Sequence, residues 1–287
     1  MNRRVLVVSH TGRPQAVAAG EQLSAALARH GIGVLFEEDL VREGESVTVP
    51  SDVELAVVLG GDGTILRAAE LVRGTAVPIV GINLGHVGFL AELDVSEIED
   101  AVTKIAQHDY DVEHRMTVDV TIRTPDGRIQ HAWAMNEATV EKDGRERMIE
   151  VAVAVDGRGL ESFGCDGVVM ATPTGSTAYA FSAGGPVVWP DVEALLLVPL
   201  SAHALFARPL VVGPTSVLEV EVLDRPGAAA TKWCDGRRTI PLPPASRLEV
   251  RRGSVRVAIA RLRPGPFTAR LVRKFNLPVA GWRGVHA

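Results

Sequence analysis

Residues 55–66 read Leu-Ala-Val-Val-Leu-Gly-Gly-Asp-Gly-Thr-Ile-Leu, and the fold is organised around this stretch. The first five residues are an unbroken apolar run, which is typical of a strand buried on both faces of a parallel sheet. From Ile65 onward the apolar residues return with helical spacing, and Gly74 marks the predicted end of that helix. The stretch therefore predicts a buried strand, a glycine-rich turn and a helix.

The turn places one carboxylate, Asp62, among Gly60, Gly61 and Gly63. Backbone N–H groups at such a helix start can bind an anion, and glycine allows positive φ and close approach of a ligand. A pure phosphate site would not contain a carboxylate, so Asp62 suits a group that accepts a proton or holds a metal beside phosphate. A tight turn with a capping Asp explains the residues equally well.

The composition and the absence of two common motifs argue against several classes of function. The sequence contains neither Gly-x-x-x-x-Gly-Lys-Ser/Thr nor Gly-x-Gly-x-x-Gly after a strand, which argues against a P-loop NTPase and an ordinary dinucleotide-dependent dehydrogenase. A net charge of −5 gives no electrostatic case for nucleic acid or an anionic membrane. No apolar run is long enough to span a membrane.

Metal and disulfide chemistry also find little support in the sequence. Two cysteines provide neither a disulfide framework nor a cysteine-type zinc site, and the eight histidines lack metal-ligand spacing. We therefore predict no protein-bound metal, and expect any metal to arrive with phosphate. We expect a cytoplasmic protein.

Residues 1–112 alternate strands and helices, which predicts an α/β domain with a parallel sheet. Strands are predicted at 5–8, 34–36, 55–59 and 77–82, with a loop over 37–50. A helix is predicted over 14–30, with Val17, Leu23 and Leu27 facing inward. A capping box at 96–99 predicts a second helix that runs to Gln107. Ligands of such sheets bind beyond the carboxyl ends of the strands, where the Asp62 turn and a glycine-spaced turn at 83–90 would lie.

Residues 113–264 change to period-two alternation with Asp-Gly turns, which predicts an antiparallel β domain. Its predicted strands include 149–155, 218–222 and 255–259. Residues 265–287 form the predicted C-terminal segment, helical over 267–282, which we expect to pack back on the first domain.

One stretch, residues 166–186, interrupts the β pattern with an apolar strand, a polar turn and a short helix. The turn carries four hydroxyls within six residues, Thr172, Thr174, Ser176 and Thr177. This density exceeds what one helix cap needs and suits a ligand with many oxygens, such as a nucleotide. A capped helix in a loop is the alternative.

Asn136 and Glu137 are adjacent polar residues inside the β pattern. Neighbouring strand residues point to opposite faces, so one of the pair needs a buried partner, such as a ribose or a base edge, unless the strand has ended. Both explanations fit the residues. Arg147, after a predicted turn, is more typical of a solvated rim charge.

Three motifs resemble the NAD kinase family in order and spacing: Gly60-Gly61-Asp62-Gly63-Thr64, Asn136-Glu137, and Asp166-Gly167 followed by Thr172-Pro173-Thr174-Gly175-Ser176-Thr177-Ala178-Tyr179. The glycine turn alone is also similar to turns of diacylglycerol-type lipid kinases and phosphofructokinases. A lipid or sugar kinase and a non-catalytic nucleotide sensor are therefore the alternatives.

The resemblance implies that the protein transfers the γ-phosphoryl group of ATP to the 2′-hydroxyl of the adenosine ribose of NAD, giving NADP. Mg²⁺ or another divalent cation would accompany ATP, and Gly60, Gly61 and Gly63 would hold its phosphates. Asp62 would be the proton acceptor. The implied NAD contacts are Asp62, Gly63, Arg67, Asn136, Glu137, Arg147, Asp166, Thr177, Ala178, Tyr179, Ala180, Phe181 and Ser182.

The resemblance also implies a homo-oligomer, a dimer or a tetramer, in which a neighbouring subunit can supply part of each site, including Asp166. Two positions depart from the family pattern. Arg237 stands where many members have Gln, and Gly164-Cys165 precedes Asp166 where others carry a polar or basic residue.

Overall fold

The computed structural model describes residues 3–9, 12–40, 42–43, 46–85, 88–144, 147–225, 229–263 and 265–279. The chain divides into two units, one made of residues 1–114 and 257–287 and the other of residues 115–256. In these described ranges, no helix has the length and apolar character needed to cross a membrane.

The strands are β1 (Arg4–Ser9), β2 (Gly33–Phe36), β3 (Arg42–Glu43), β4 (Ser46–Val47), β5 (Val53–Leu59), β6 (Ile79–Asn83), β7 (Leu93–Asp94), β8 (Asp111–Arg115), β9 (Val118–Arg123), β10 (Ile129–Ala134), β11 (Glu137–Lys142), β12 (Ile149–Val155), β13 (Arg158–Cys165), β14 (Gly167–Ala171), β15 (Leu195–Leu200), β16 (Leu210–Val212), β17 (Leu218–Val222), β18 (Ala230–Cys234), β19 (Arg238–Leu242), β20 (Arg247–Arg252) and β21 (Val257–Arg261). The α-helices are α1 (Pro14–Arg29), α2 (Asp62–Val72), α3 (Ile98–Gln107), α4 (Tyr179–Ser182) and α5 (Phe267–Phe275). Short 3₁₀ helices span Glu37–Asp39, Val95–Glu97 and Gly175–Thr177.

The first unit contains a sheet with the strand order β2-β1-β5-β6-β21-β8, and β7 also pairs with β6. Strands β2, β1, β5 and β6 run parallel, as predicted. Residues of β5 are buried without interruption from Leu55 to Leu59, as expected for an inner strand of a parallel sheet that is covered on both faces. The α/β class of the N-terminal part is confirmed.

The direction in which successive strands are added to the sheet reverses between β1 and β5. From β1 the chain passes through α1 to β2 on one side, whereas from β5 it passes through α2 to β6 on the other. Open parallel sheets bind ligands in the crevice that such a reversal leaves at the carboxyl ends of the strands. The glycine turn that starts at Gly60 lies at this edge, directly after β5.

The second unit consists of two six-stranded antiparallel sheets, with the orders β10-β9-β20-β17-β12-β13 and β16-β15-β14-β11-β18-β19. Their inward residues form one core, to which Val120 and Val151 belong from the first sheet and Val140 and Val168 from the second. The predicted antiparallel β class is confirmed for this part of the chain.

Several local predictions for the first unit were wrong. Val17 is 47% exposed, because α1 packs through Ala16, Ala19 and Leu23 instead. The capping box is formed by Asp94 and Glu97, two residues earlier than predicted, since a 3₁₀ turn precedes α3. The predicted loop at 37–50 contains a 3₁₀ turn and the short strands β3 and β4.

The end of the chain also differs from the predictions. Strand β21 pairs parallel with β6 in the first unit, not with the antiparallel sheets, and alternation alone could not distinguish the two partners. Helix α5 ends at Phe275, because Asn276 takes a left-handed φ of 49°. The predicted continuation to residue 282 partly lies outside the described residues, as do residues 86–87 of the predicted turn at 83–90.

Candidate active site

Helix α2 begins at Asp62, three residues before the predicted start at Ile65, and Gly61 is its N-cap. The carboxylate accepts two backbone N–H bonds, from Phe89 to Oδ2 at 2.9 Å and from Leu90 to Oδ1 at 3.0 Å. Each oxygen is therefore fixed in direction and keeps a lone pair for another partner. This geometry suits a group that must point at one place, such as a general base.

Two glycines near Asp62, Gly60 and Gly88, are required by close approach and not by φ, whereas a Cβ on Gly61 or Gly63 would meet nothing within 4 Å. None of Gly60, Gly61 and Gly63 has a left-handed φ, so this turn does not use the positive φ that glycine allows. A Cβ on Gly88 would lie 2.3 Å from Asp62 Oδ1. A Cβ on Gly60 would lie 2.5 Å from Thr64 Oγ1. The chain that carries Phe89 can therefore approach the carboxylate only because residue 88 has no side chain.

Helix α5 packs against the residue that holds Asp62. The Phe89 ring centroid lies 5.6 Å from that of Phe275 and 6.1 Å from that of Phe267, both in tilted arrangements. Such aromatic pairs stabilise each other beyond their buried area. Sequence reasoning missed this support, because no local pattern connects residue 89 with a helix almost two hundred residues later.

Arg67 lies on the same helix as Asp62 and forms an ion pair with Glu37. Its Nε is 2.8 Å from Glu37 Oε1, and its second terminal nitrogen is 2.6 Å from the same oxygen. Glu37 is 4% exposed, so a buried carboxylate holds the guanidinium in place. Glu37 was assigned to a loop by sequence reasoning, and its role was missed.

In the second unit, Asn136 and Glu137 occupy the junction of β10 and β11. They are only 7% and 6% exposed. Among the described residues, Asn136 Oδ1 and Glu137 Oε2 have no hydrogen-bond partner. Buried polar atoms are almost always paired, so two unpaired atoms on adjacent residues mark a site that a ligand can complete.

Burial raises the pKa of Glu137 to about 8, with the nearby Asp235 charge as a second cause. The Tyr179 backbone N–H, which donates to the carboxylate, opposes this shift. At neutral pH the Glu137 carboxyl is therefore largely protonated. A strongly shifted pKa at a buried residue with unpaired atoms is a common property of functional sites.

Asp235 holds the chain that presents Asn136. The carboxylate accepts the backbone N–H of Met135 at 3.0 Å and of Asn136 at 2.7 Å, and Arg238 lies 2.6 Å from Oδ2. Burial raises the pKa of Asp235, while the backbone N–H donors and Arg238 oppose that shift.

Sequence reasoning missed Asp235 as a site residue, although a signal was present. Asp235 and Gly236 have φ values of 54° and 62° and turn the chain between β18 and β19. The rule that Asp-Gly between two strand runs marks a hairpin applies here as it does at Asp156-Gly157, where the φ values are 54° and 73°.

In the threonine-rich turn, residues 172–177, buried hydroxyls donate to backbone carbonyls of the turn and of the segment beside it. Thr172 Oγ1 donates to Met135 O at 2.6 Å, and Ser176 Oγ donates to Pro173 O at 2.7 Å. Thr172 and Ser176 are fully buried. A Cβ on Gly175 would lie 2.1 Å from Asn136 O. The Thr172 hydroxyl and the close approach of Gly175 therefore fix the turn against Met135 and Asn136, while the Ser176 hydroxyl closes the turn itself. Tyr179, Phe181 and Ser182 of α4 are the exposed part of the motif.

Asp166 and Glu137 lie at opposite ends of β11. Lys142, the last residue of β11, forms an ion pair with Asp166 at 2.5 Å. This contact with Lys142 lowers the pKa of Asp166. Lys142 lies five residue steps along the strand from Glu137, roughly 17 Å at about 3.4 Å per step. Within one chain the structure thus separates Asp166 from the Asn136–Glu137 pair, and Arg147 is exposed on the segment that follows β11.

Comparisons with known proteins give a consistent result. Residues 43–110 match the model of the ATP-NAD kinase N-terminal domain, and residues 135–262 match that of the ATP-NAD kinase C-terminal domain. The chain is 56% identical to the NAD kinase of Leifsonia xyli subsp. xyli over 98% of this chain and 97% of that protein. It is 52% identical to NAD kinase 2 of Streptomyces coelicolor, with the same coverage.

Two solved structures share the fold. An NAD kinase from Archaeoglobus fulgidus in complex with ATP superposes with a TM-score of 0.74 at 28% identity, covering 95% of this chain and 98% of that chain. Yeast NADH kinase complexed with NADH superposes with a TM-score of 0.83 at 23% identity, covering 96% of this chain and 87% of that chain. At that identity the yeast structure supports the fold alone.

Proposed function

This chain belongs to the ATP-NAD kinase family and is an enzyme of that type, and from this premise we propose the reaction that it catalyses. The γ-phosphoryl group of ATP passes to the 2′-hydroxyl of the adenosine ribose of NAD, giving NADP. Asp62 accepts the proton of that hydroxyl. Asn136 and Glu137 hold the adenosine part of NAD.

The observation that carries the proposal is the double backbone anchor of Asp62. A ribose hydroxyl is a weak nucleophile at neutral pH, so a carboxylate fixed in direction assists its attack. Phosphoryl transfer otherwise requires positioning and charge neutralisation more than covalent chemistry. The N-terminus of α2 offers backbone N–H groups for the phosphates, and Asp62 stands beside them as the proton acceptor.

A divalent cation enters with the triphosphate as part of the substrate. The described residues contain no group of three or more His, Cys, Asp or Glu side chains arranged to hold a metal. Mg²⁺ typically binds through substrate phosphates and one or two carboxylates, and it neutralises phosphate charge there. Asp62 is the carboxylate of this chain that is placed beside the proposed phosphate site.

The acceptor pair has the chemistry that a nucleoside requires. Among the described residues, Asn136 Oδ1 and Glu137 Oε2 are buried oxygens without a hydrogen-bond partner. Asn136 Oδ1, and Glu137 once NAD binding ionises it, would accept hydrogen bonds from a ribose hydroxyl or an adenine amino group. Arg67, Arg147, Asp166, and Thr177 through Ser182 are proposed as further NAD contacts. Because Asp166 lies at the far end of β11, its contact would be with NAD bound by another subunit.

This last role requires a homo-oligomer, a dimer or a tetramer, which we propose together with a cytoplasmic location. Size-exclusion chromatography with light scattering measures the assembly directly. A monomer at working concentration would remove Asp166 from the list of NAD contacts.

The test of the reaction is an incubation of the purified protein with ATP, Mg²⁺ and NAD. We expect NADP, identified by its reduction with an NADP-specific dehydrogenase, and ADP in equal amount. Formation of a phosphorylated lipid or sugar in place of NADP would favour the other kinase classes. Nucleotide binding without any product would favour a sensor.

A further inference from the structure

A buried arginine contacts the segment that holds Asp62. Arg261 is the last residue of β21 and is only 4% exposed. Its Nη1 donates to Leu90 O at 3.2 Å, and the Leu90 N–H donates to Asp62 Oδ1 at 3.0 Å. The guanidinium thus holds the carbonyl of the residue whose N–H orients the proposed base. The roles derived above do not use Arg261.

Two carboxylates hold the Arg261 guanidinium in place. Its Nε donates to Glu113 Oε2 at 3.1 Å, and its Nη1 lies 3.6 Å from Glu92 Oε2. Glu113 belongs to β8, and the Glu92 backbone N–H donates to Gly81 O of β6 at 3.1 Å. Because β6 and β8 are the two neighbours of β21 in the sheet, the guanidinium is connected to strands on both sides. A planar group bonded along several edges has a fixed orientation.

Stability alone does not explain a charged residue at position 261. Burial raises the pKa of Glu92, and the positive charge of Arg261 opposes that shift. Buried ion pairs can often be replaced by apolar residues of similar volume without loss of stability. An apolar residue at position 261 could not supply the N–H donor that fixes Leu90 O. The feature that requires arginine is therefore the orientation of residue 90.

The two backbone bonds to Asp62 have separate supports. Phe89 donates to Oδ2 and is packed by the rings of α5, whereas Leu90 donates to Oδ1 and is held by Arg261. With only one of these bonds, the carboxylate could rotate about its Cβ–Cγ bond. A proton acceptor must stay within hydrogen-bond reach of the hydroxyl that it serves, so a loss of either support should lower the rate.

We propose that Arg261 is a positioning residue for the phosphoryl transfer, which holds Leu90 so that its N–H keeps Asp62 aimed at the acceptor hydroxyl. The inference rests on the proposed function, because Arg261 acts through the base of that reaction. Its effect passes through Leu90 and Asp62 and not through a contact with ATP or NAD. Loss of Arg261 should therefore lower kcat while both KM values stay close to those of the wild type.

The test compares Arg261→Met with the double variant Arg261→Met/Glu92→Gln. Methionine is a long side chain without a donor, and glutamine removes the carboxylate charge that the single variant leaves buried without its counter-ion, so the double variant serves if the single one does not fold. Steady-state kinetics give kcat and both KM values, and mass spectrometry gives the amide hydrogen exchange of residues 89 and 90. We expect kcat to fall about thirtyfold in both variants, with KM values within about twofold and faster exchange at Leu90.

Arg263→Gln is the matched control, because this arginine lies two residues further along the chain and its exposed side chain pairs with Glu97 and Asp100. It should have the kcat and the exchange rates of the wild type. Wild-type kcat in the folded double variant would overturn the inference and leave the reaction intact, since Arg261 would then be only the counter-ion of Glu92. A rise of both KM values without a fall in kcat would overturn it as well. If the wild type forms no NADP, the proposed reaction itself fails, and with it the role of Arg261, whatever the exchange rates show.

Discussion

Asp62 Oδ2 lies 2.9 Å from the backbone nitrogen of Phe89, and the ring of Phe89 in turn packs against Phe267 and Phe275 of α5. A single residue thus connects the proposed base with the helix near the C-terminus. The backbone of residue 89 orients the carboxylate, while its side chain is held by α5. Small displacements of a positioned group can cost large factors in rate, so distant residues of this kind should influence turnover.

Gly88→Ala should lower turnover strongly while the protein remains folded. The added Cβ would lie 2.3 Å from Asp62 Oδ1, so the carboxylate or the chain carrying Phe89 must move. We expect kcat to fall about a hundredfold. Steady-state kinetics measure it, and Gly213→Ala, where a Cβ meets nothing within 4 Å, is the control. Equal kcat values in the two variants would show that the close contact is not needed.

Phe275→Ala should reduce kcat more than it raises either KM. It removes one of the two rings that pack on Phe89, and the chain holding Asp62 then loses its support. We expect kcat to fall about tenfold, with both KM values within about twofold of wild type. Arg273→Ala, an exposed change on the same helix, is the control. A uniform loss of stability without this split between kcat and KM would indicate a purely structural role for α5.

NAD binding should depend on pH through Glu137. The pKa of its carboxyl is raised to about 8 in the free protein, and accepting bonds from NAD favours the ionised form. NAD affinity should therefore rise between about pH 6 and pH 8, with proton release on binding at neutral pH. Titration calorimetry in buffers of different ionisation enthalpy counts the protons. Glu137→Gln should abolish the release; an unchanged release would assign it to another group.

The raised pKa of Glu137 should also make the free energy of unfolding depend on pH. Because the folded state holds the Glu137 proton up to about pH 8 and the unfolded chain releases it near pH 4.5, the folded state binds more protons in between. The free energy of unfolding should therefore decrease as pH rises through this window. Urea denaturation of wild type and Glu137→Gln measures it, and parallel curves would contradict the assignment.

Asp235→Ala should destabilise the second unit by about 3–5 kcal/mol, because it leaves Arg238 and two buried N–H groups without their carboxylate. Asp156→Ala is a matched control, since Asp156 occupies the equivalent place in an exposed Asp-Gly hairpin. It should cost far less. Chemical denaturation gives both values, and similar losses would show that the buried network contributes nothing beyond the turn.

Much of the fold followed from patterns that act locally. The apolar run before Gly60 predicted a buried strand, and the Asp156-Gly157 turn predicted a hairpin, because burial and turn geometry are encoded in neighbouring residues. The partner of β21 could not be predicted, since alternation does not specify which sheet a strand joins.

The residues of the candidate site also divide into those that local sequence patterns predict and those that they do not. Asp62, Asn136 and Glu137 were found from sequence because each is a polar residue where the pattern demands an apolar residue or a glycine. Phe275 was missed because its role exists only through a contact with a distant residue. For Asp235 the Asp-Gly signal indicated only a turn, and its bonds to Met135 and Asn136 come from the fold. The burial that raises the pKa of Glu137 is likewise a property of the folded chain.

The most direct test of the account is the single-turnover rate of NADP formation by Asp62→Asn, with NAD affinity measured in parallel. Asparagine keeps the size of the side chain and one acceptor oxygen, so it retains one of the two bonds from the Phe89 and Leu90 N–H groups, but it cannot accept the ribose proton. We predict a rate lower by about 10²–10⁴-fold, with the Kd for NAD little changed. A near-normal rate in this variant would contradict the role of Asp62 as the base.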